Sequence, residues 1–193
     1  MCNVSSDVEA VQRLPLVDID AVTGGVGEIL RSRPTRLNIV ATMAHATSCV
    51  VQQLALGRAV MKEQTLSPRY REMLILLAAR LNRCDYVWIQ HRAVAEQCGV
   101  SAPMVGRIEA LDLSHGVFDR ADRALLAFGR QVISVGEVED EVFERVSRYL
   151  TAEELVEAIV AIGYYMTMNR IATVARTPLE PGTDDNRRAR PGQ

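Results

Sequence analysis

Apolar residues recur at steps of three and four positions along most of the chain after Leu37. The segment LNIVATMAHATSCVVQQLALGRAVM shows this spacing, and no segment alternates apolar and polar residues as a half-buried strand does. A repeat of three to four residues places apolar side chains on one face of a helix. The pattern predicts an all-α chain of six or seven helices, the first covering residues 37–61.

Residues that favour helix N-termini support this division into helices. They precede four apolar segments: Ser67, followed by Pro68; Ser101; Asp119; and Thr151, which forms a capping-box pattern with Glu154. Gly99 and Gly136 stand where helix C-termini are expected, since glycine adopts the left-handed conformation that ends many helices. We therefore expect a single-domain bundle of several helices.

The two ends of the chain differ from this helical pattern. Residues 1–34 contain Pro15, TGGVG and Pro34 and are predicted to be an irregular N-terminal segment. The GGVG run lacks the spacing of a phosphate-binding loop and is interpreted as a turn leading into a helix. Residues 35–176 form the predicted helical domain. Residues 177–193, TPLEPGTDDNRRARPGQ, are rich in proline, glycine and charge and are predicted to be a disordered tail.

Composition narrows the possible partners. The 193 residues carry a formal net charge of −2, which provides no electrostatic attraction for nucleic acid or an anionic membrane. The longest apolar runs are too short to span a bilayer, and the N-terminus lacks the features of a signal peptide. We therefore expect a soluble, cytoplasmic protein. Its four cysteines form no CxxC pair and are expected to be free thiols.

The stretch EMLILLAARLNRCDYVWIQHRA, residues 72–93, holds the candidate chemistry. On the helix predicted to begin near Cys84, that residue, Val87 or Trp88, and His91 fall on one face. The helix N-terminus favours a lowered pKa for the Cys84 thiol, and histidine exchanges protons near neutral pH. Glu72 interrupts an apolar face, so that it lies either at a rim or buried with a partner such as a histidine. Each of these residues is also compatible with an ordinary core position.

The same stretch resembles the carboxymuconolactone decarboxylase family. The family pattern is R-E on one helix and C/S-x-Y-x-W-x-x-H on the next, matched here by Arg71, Glu72, Cys84, Tyr86, Trp88 and His91. Upstream, Asn38, His45 and Gly57 match a second segment, and LVEAIVAIGYYMTMNRIA is similar to the closing helix. The resemblance covers about residues 30–182. It implies an all-α bundle of the alkylhydroperoxidase D-like type that assembles into homotrimers or homohexamers.

One position separates this chain from the redox branch of that superfamily. Alkylhydroperoxidase D-like proteins use E…C-x-x-C-x-x-x-H, and the position of their second cysteine is Val87 here. A dithiol cycle needs a resolving thiol beside the attacking one, and neither Cys49 nor Cys98 has the required spacing. A peroxidase-like antioxidant is therefore disfavoured, unless a neighbouring subunit supplies the second thiol.

The resemblance implies a cofactor-independent decarboxylase, or a related proton-transfer enzyme, acting on a small cyclic, lactone or aromatic-polyketide-like acid. His91 is the candidate proton donor, Glu72 orients it, and Cys84 is a third catalytic candidate. Candidate substrate-binding residues are Tyr86, Trp88, His45 and Arg83. Arg69 and Arg71 are weaker candidates for binding a carboxylate. A non-catalytic oligomer that binds a small ligand in the same place is the alternative.

No cofactor and no metal are expected. The three histidines form no H-x-x-x-H pair and have no nearby carboxylate cluster, so the sequence gives no set of metal ligands. His115, in DLSHGVF, is predicted to lie in a loop between helices.

Overall fold

The computed structural model describes residues 11–183. Within that range the chain forms nine α-helices, a short 3₁₀ turn at Ile19–Ala21 and no strand. The helices are α1 Gly24–Arg31, α2 Asn38–Met43, α3 Val50–Lys62, α4 Pro68–Leu81, α5 Asp85–Gln97, α6 Ala102–Glu109, α7 Arg120–Ser134, α8 Asp140–Val146 and α9 Ala152–Ala175. The predicted all-α class is confirmed.

Helix α4 forms the centre of the bundle. Residues 71–79 are all buried, and α5, α6, α7 and α9 pack around it. The run MLILLAA makes α4 apolar on every side, and such a helix is stable only when other helices cover every side of it. Ser67 caps its N-terminus by accepting a hydrogen bond from the Tyr70 amide at 3.2 Å, with Pro68 in the first turn. The long helix α9 crosses α4 and also packs against α2, α3, α5 and α7.

A tight turn joins α4 to α5 and determines where the candidate residues lie. Arg83 has φ 53°, and the amides of Arg83 and Cys84 donate to the carbonyls of Arg80 and Ala79 at 3.2 and 2.8 Å. This pair of bonds is a Schellman motif, which closes a helix with one left-handed residue. Cys84 is then the N-cap of α5, and the predicted start of a helix near Cys84 is confirmed.

The predicted helix 37–61 is two helices, because residues 44–49 interrupt it. His45 lies in the break, and its Nε2 is 2.8 Å from the Pro15 carbonyl oxygen. Thr47 and Ser48 follow, and such side chains compete with helical hydrogen bonds. The prediction of one helix was therefore wrong.

Two short helices were not delimited from the sequence. Helix α1 lies inside residues 1–34, which were predicted to be irregular, and begins at Gly24 of the GGVG run, where a turn leading into a helix was expected. Gly27 allows the helix to pack closely against the preceding chain, since a Cβ there would lie 1.9 Å from the Val22 carbonyl oxygen. Helix α8 buries Val142 and Val146. Residues 1–10 of the predicted N-terminal segment lie outside the described range.

The first part of the predicted disordered tail is also structured. Residues 177–183 run back along α2, where Asn38 Nδ2 donates to the carbonyls of Pro178 and Leu179, both at 3.2 Å. Thr177 is buried, and its Oγ1 lies 3.0 Å from that of Thr42. These contacts correct the prediction for residues 177–183; residues 184–193 lie outside the described range. In the part of the chain that is described, no helix is long and apolar enough to cross a membrane.

Candidate functional site

Glu72 lies on α4 with no exposed surface, and both carboxylate oxygens have a partner. Arg71 Nε donates to Oε1 at 3.3 Å, and His91 Nδ1 lies 2.8 Å from Oε2. A buried carboxylate needs such partners because desolvation of an unpaired charge costs several kcal/mol. Glu72 thus makes the contact with a histidine across a helix pair that the sequence suggested.

His91 lies on α5 between Glu72 and a cavity. Since the carboxylate accepts, Nδ1 of the ring carries the hydrogen of the 2.8 Å bond. Tyr165 of α9 packs edge-to-face against the imidazole, with ring centroids 4.8 Å apart. The side chain is 14% exposed and lines the cavity, so that Nε2 is the nitrogen left for a ligand. This arrangement fixes the tautomer and the orientation of the ring.

The cavity beside His91, called the His91 cavity below, has a volume of about 590 Å³ and opens to solvent. Volumes of 300–1,000 Å³ are typical of small-molecule sites. Its apolar lining includes Leu37, Val40, Met43, Leu54, Met61 and Met168. Its polar lining includes Arg33, Arg58, Lys62, Gln90, His91 and Tyr164, together with Tyr86 and Tyr165. No acidic side chain is among the described residues that line it. The cavity therefore suits a small, mainly apolar ligand that carries negative charge.

Tyr86 lines the cavity with its ring, while its hydroxyl is already bound. The hydroxyl donates to Glu180 and accepts from the Ile39 amide at 3.2 Å. Glu180 also accepts from the side chain of Gln90 and from the Asn38 amide, the latter at 2.8 Å. Burial, together with the bond to Glu180, raises the pKa of Tyr86. Tyr86 is therefore a neutral part of the cavity wall whose hydroxyl is not free for a ligand.

Cys84 lies apart from the His91 cavity. It is 2% exposed and is not among the lining residues. Burial raises the pKa of the thiol, although hydrogen bonds from the Val87 amide and the Thr173 side chain oppose that shift. The predicted lowering by the helix N-terminus is thus wrong, because desolvation of the thiolate outweighs it. The shared face of Cys84 and His91 is also not found: Val87 and His91 line the cavity, and Cys84 does not.

Three other predicted binding residues do not reach the cavity. Trp88 is a core residue with 6% exposure. His45 is exposed and binds the Pro15 carbonyl, and Arg83 is exposed in the left-handed turn between α4 and α5. None of the three is a lining residue of the His91 cavity. Their positions are explained by packing, by a local hydrogen bond and by turn geometry.

The remaining candidates have structural partners. Arg69 forms a bidentate ion pair with Asp122, at 2.6 and 2.8 Å, and Arg71 binds Glu72. His115 lies in the loop before α7, as predicted, and its Nδ1 accepts from the Val117 amide at 3.0 Å. Within residues 11–183 no group of three or more His, Cys, Asp or Glu residues could hold a metal ion.

Sequence reasoning missed several lining residues. Arg33 lies in the segment that was predicted to be irregular. Gln90 stands next to the candidate His91 in the sequence but was not itself considered as a candidate. Tyr164 and Tyr165 lie in the run GYYM of α9, where two adjacent tyrosines in an otherwise apolar helix were an available signal. Tyr165 donates to Met61 Sδ at 3.1 Å, and burial, helped by the charge of Glu72, raises its pKa.

Comparisons with known proteins agree with this architecture. Residues 52–130 match the sequence model of the carboxymuconolactone decarboxylase family, and no curated protein matches the chain. A crystal structure from Agrobacterium tumefaciens, of a protein of unknown function named as a candidate AhpD antioxidant-defence protein, shares 25% identity with a TM-score of 0.65. It covers 72% of this chain and 94% of its own.

Two further structures have the same fold. The alkylhydroperoxidase AhpD core of an uncharacterized peroxidase-related protein from Ralstonia eutropha JMP134 has a TM-score of 0.75 at 20% identity, covering 89% of this chain and 94% of its own. A cysteine-to-alanine variant of the debrominase Bmp8, solved with 2,3,4-tribromopyrrole, has a TM-score of 0.68 at 16% identity, covering 83% and 86%. Residues 52–130 are therefore similar to the carboxymuconolactone decarboxylase family, and residues 11–183 have the AhpD-like helical fold of these structures.

Proposed function

We propose that this protein is a proton-transfer enzyme, of the cofactor-independent decarboxylase type, that acts on a small cyclic, lactone or aromatic-polyketide-like acid in the His91 cavity. One observation carries the proposal: His91 lines the cavity while its Nδ1 is held 2.8 Å from the buried Glu72 carboxylate. A histidine oriented by a carboxylate is suited to general acid–base catalysis through its second nitrogen.

The reaction divides into two steps. The bond between the substrate and its carboxylate breaks, carbon dioxide leaves, and the electron pair moves through the conjugated system onto the carbonyl oxygen of the substrate. The carbonyl group then re-forms, and the carbon of the enolate that lost the carboxylate takes the proton on Nε2 of the His91 imidazolium, which solvent restores. Glu72 stabilises the imidazolium, and the apolar walls lower the solvation of the carboxylate that leaves.

Deuterium incorporation tests the proposal directly. Carbon dioxide release from a panel of β-keto and enol-lactone acids is measured in D₂O, and the product is analysed for deuterium at the carbon that lost the carboxylate. His91→Gln is expected to lower kcat by about 10²- to 10⁴-fold, since it removes the acid–base group. The matched control is His45→Gln, because His45 is exposed outside the cavity.

Equal loss in the two variants would overturn the assigned role of His91. Absence of turnover across the panel, with ligands still bound by the wild type and by His91→Gln, would favour the alternative of a non-catalytic ligand-binding protein. A thiol-dependent antioxidant is disfavoured, since Cys84 is buried with a raised pKa and Val87 occupies the position of the second cysteine.

A further inference from the structure

Arg33 is a cation of the His91 cavity with no partner of its own. It lies in the loop between α1 and α2, is half-buried and lines the cavity. Its Nε is fully buried without a hydrogen-bond partner, and the guanidinium makes no ion pair within residues 11–183. The terminal nitrogens are not buried and also have no hydrogen-bond partner within residues 11–183, so an anionic group that enters the cavity would gain charge-assisted hydrogen bonds from them.

The other two cations of the cavity are placed differently. The Arg58 side chain is 79% exposed, and its Nε lies 3.3 Å from Glu63 Oε1. Lys62 is exposed at the end of α3. Exposed charges interact weakly with a ligand because water and salt screen them. Arg33 is therefore the cavity cation whose environment favours a specific bond over general attraction.

The wall of the His91 cavity next to Arg33 is closely packed. Tyr164 lines the cavity close enough to Arg33 for the arginine charge to oppose the rise in its pKa that burial causes. A Cβ on Gly57 would lie 2.2 Å from the Tyr164 hydroxyl oxygen, so a side chain at position 57 would clash with this tyrosine. The Tyr164 hydroxyl thus supplies a second polar group in the same wall.

We propose that Arg33 is the specificity-determining residue of the cavity, binding a carboxylate of the substrate through the two terminal nitrogens of its guanidinium. This inference deepens the proposed function and rests on it for the location of the substrate. The planar fork of arginine matches the two oxygens of a carboxylate. Arginine stabilises a carboxylate relative to carbon dioxide, so Arg33 is suited to a carboxylate that remains in the product.

Binding of unreactive acids tests this assignment without any turnover. The probes are benzoate, 1-naphthoate and 2-naphthoate, each paired with its primary amide, and affinity is measured by calorimetry on the full chain. We expect at least one acid to bind the wild type about ten- to hundredfold more tightly than its amide, the range expected for a hydrogen bond to a charged group. Arg33→Gln should remove that preference.

Two variants separate a specific bond from general charge. Arg58→Gln, which removes a cation from the same cavity, is expected to change the affinity for the acid by less than about threefold. Arg33→Lys should recover only part of the preference, since lysine keeps the charge without the fork. Thermal melts of each variant verify folding, and Arg33 has no hydrogen bond within residues 11–183 whose loss would destabilise the fold.

The outcomes also separate this inference from the proposed function. Equal affinity of acid and amide, no acid binding at all, or equal effects of Arg33→Gln and Arg58→Gln would each overturn the role of Arg33. Binding of acid that depends on Arg33, is kept in His91→Gln and comes with no turnover of any substrate would uphold Arg33 and overturn the proposed proton transfer.

Discussion

At the scale of single residues, the pairing of Glu72 determines what His91 can do. Glu72 has no contact with solvent, and Arg71, its neighbour on α4, places a guanidinium nitrogen 3.3 Å from one of its oxygens. The other oxygen accepts from His91, which leaves Nε2 toward the cavity. The same carboxylate thus fixes the orientation of the ring, as a positioning residue for an acid–base group does.

Cys84 is expected to react slowly with alkylating agents in the folded protein. Burial raises the pKa of its thiol, and the thiolate is the reactive form, so both access and ionisation oppose alkylation. Native protein treated with iodoacetamide at pH 8 should be alkylated at the exposed Cys49 at least about tenfold faster than at Cys84, as measured by peptide mass spectrometry over time.

The same reaction in urea is the control, because unfolding removes the burial and both thiols should then react at similar rates. Raising the pH to 9 should leave the difference in place, since Cys84 stays buried and the raised pKa of its thiol opposes ionisation. Faster labelling of Cys84 than of Cys49 in the native protein would contradict the buried, inert thiol and restore a thiol-based reaction.

Sequence spacing predicted the contact of Glu72 with a histidine but not the place of Cys84. A helical wheel assumes that every residue counted is already in the helix. Cys84 is the N-cap, with φ −100° and ψ 93°, so its side chain does not continue the row formed by Val87 and His91. Arg83 does not line the cavity for a related reason, since it adopts the left-handed conformation of the turn between α4 and α5.

At the scale of elements, local signals identified the starts of the long helices well. Ser67, Asp119 and Thr151 all accept the expected capping bond, and the latter two form complete capping boxes. Two short helices were not delimited from the sequence because α1 and α8 have only eight and seven residues, too few for a clear repeat. Tertiary packing, through residues such as Leu30 and Val146, stabilises them instead.

Glu180 is expected to stabilise the packing of residues 177–183 against α2 and α5 through its hydrogen bonds. Its carboxylate accepts from Tyr86, Gln90 and the Asn38 amide, and truncation leaves these donors without an acceptor. Glu180→Ala should lower the free energy of unfolding by about 1–3 kcal/mol. For a chain of this size that corresponds to a melting temperature lower by about 2–12 °C, measurable by circular dichroism.

Glu144→Ala is the matched control, because Glu144 is exposed on α8 and its truncation should change stability by less than about 0.5 kcal/mol. Limited proteolysis adds a second measurement, since loss of the Glu180 contacts should expose residues 177–183 to cleavage first. Unchanged melting and cleavage in Glu180→Ala would mean that these hydrogen bonds do not hold the segment in solution. The proline-rich composition of the C-terminal tail did not indicate the contact between Glu180 and Tyr86, because these two residues lie 94 positions apart in the sequence.

At the scale of the whole molecule, α4 is enclosed by helices while one side of α9 is not. Val156, Ile159 and Val160 of α9 are 60%, 45% and 38% exposed. A subunit interface would cover apolar side chains of this kind. Assembly into a homotrimer or homohexamer through helical faces stays a prediction.

Alkaline pH is expected to destabilise the whole bundle through its buried acids. Burial raises the pKa values of Tyr86, Tyr165 and Cys84 above their ordinary values. Above about pH 10 a tyrosine in the unfolded chain loses its proton, while its folded counterpart keeps it. The folded state then binds more protons, so stability falls as pH rises, by up to about 1.4 kcal/mol per pH unit for each such tyrosine. Below about pH 9 a tyrosine is neutral in both the folded and the unfolded state, so the tyrosines cause no such loss of stability.

Denaturant unfolding of the full chain between pH 8 and 11, followed by circular dichroism, measures this slope. Tyr165→Phe removes one buried ionisable group and should make the decline above pH 10 shallower by up to about 1.4 kcal/mol per pH unit. Tyr149→Phe is the control, because the Tyr149 side chain is 44% exposed. Identical slopes for the wild type and Tyr165→Phe would contradict the prediction. A shallower slope in Tyr165→Phe alone would show that the Tyr165 ring, which packs against His91, remains a neutral phenol in the folded protein above pH 10, where an unfolded tyrosine ionises.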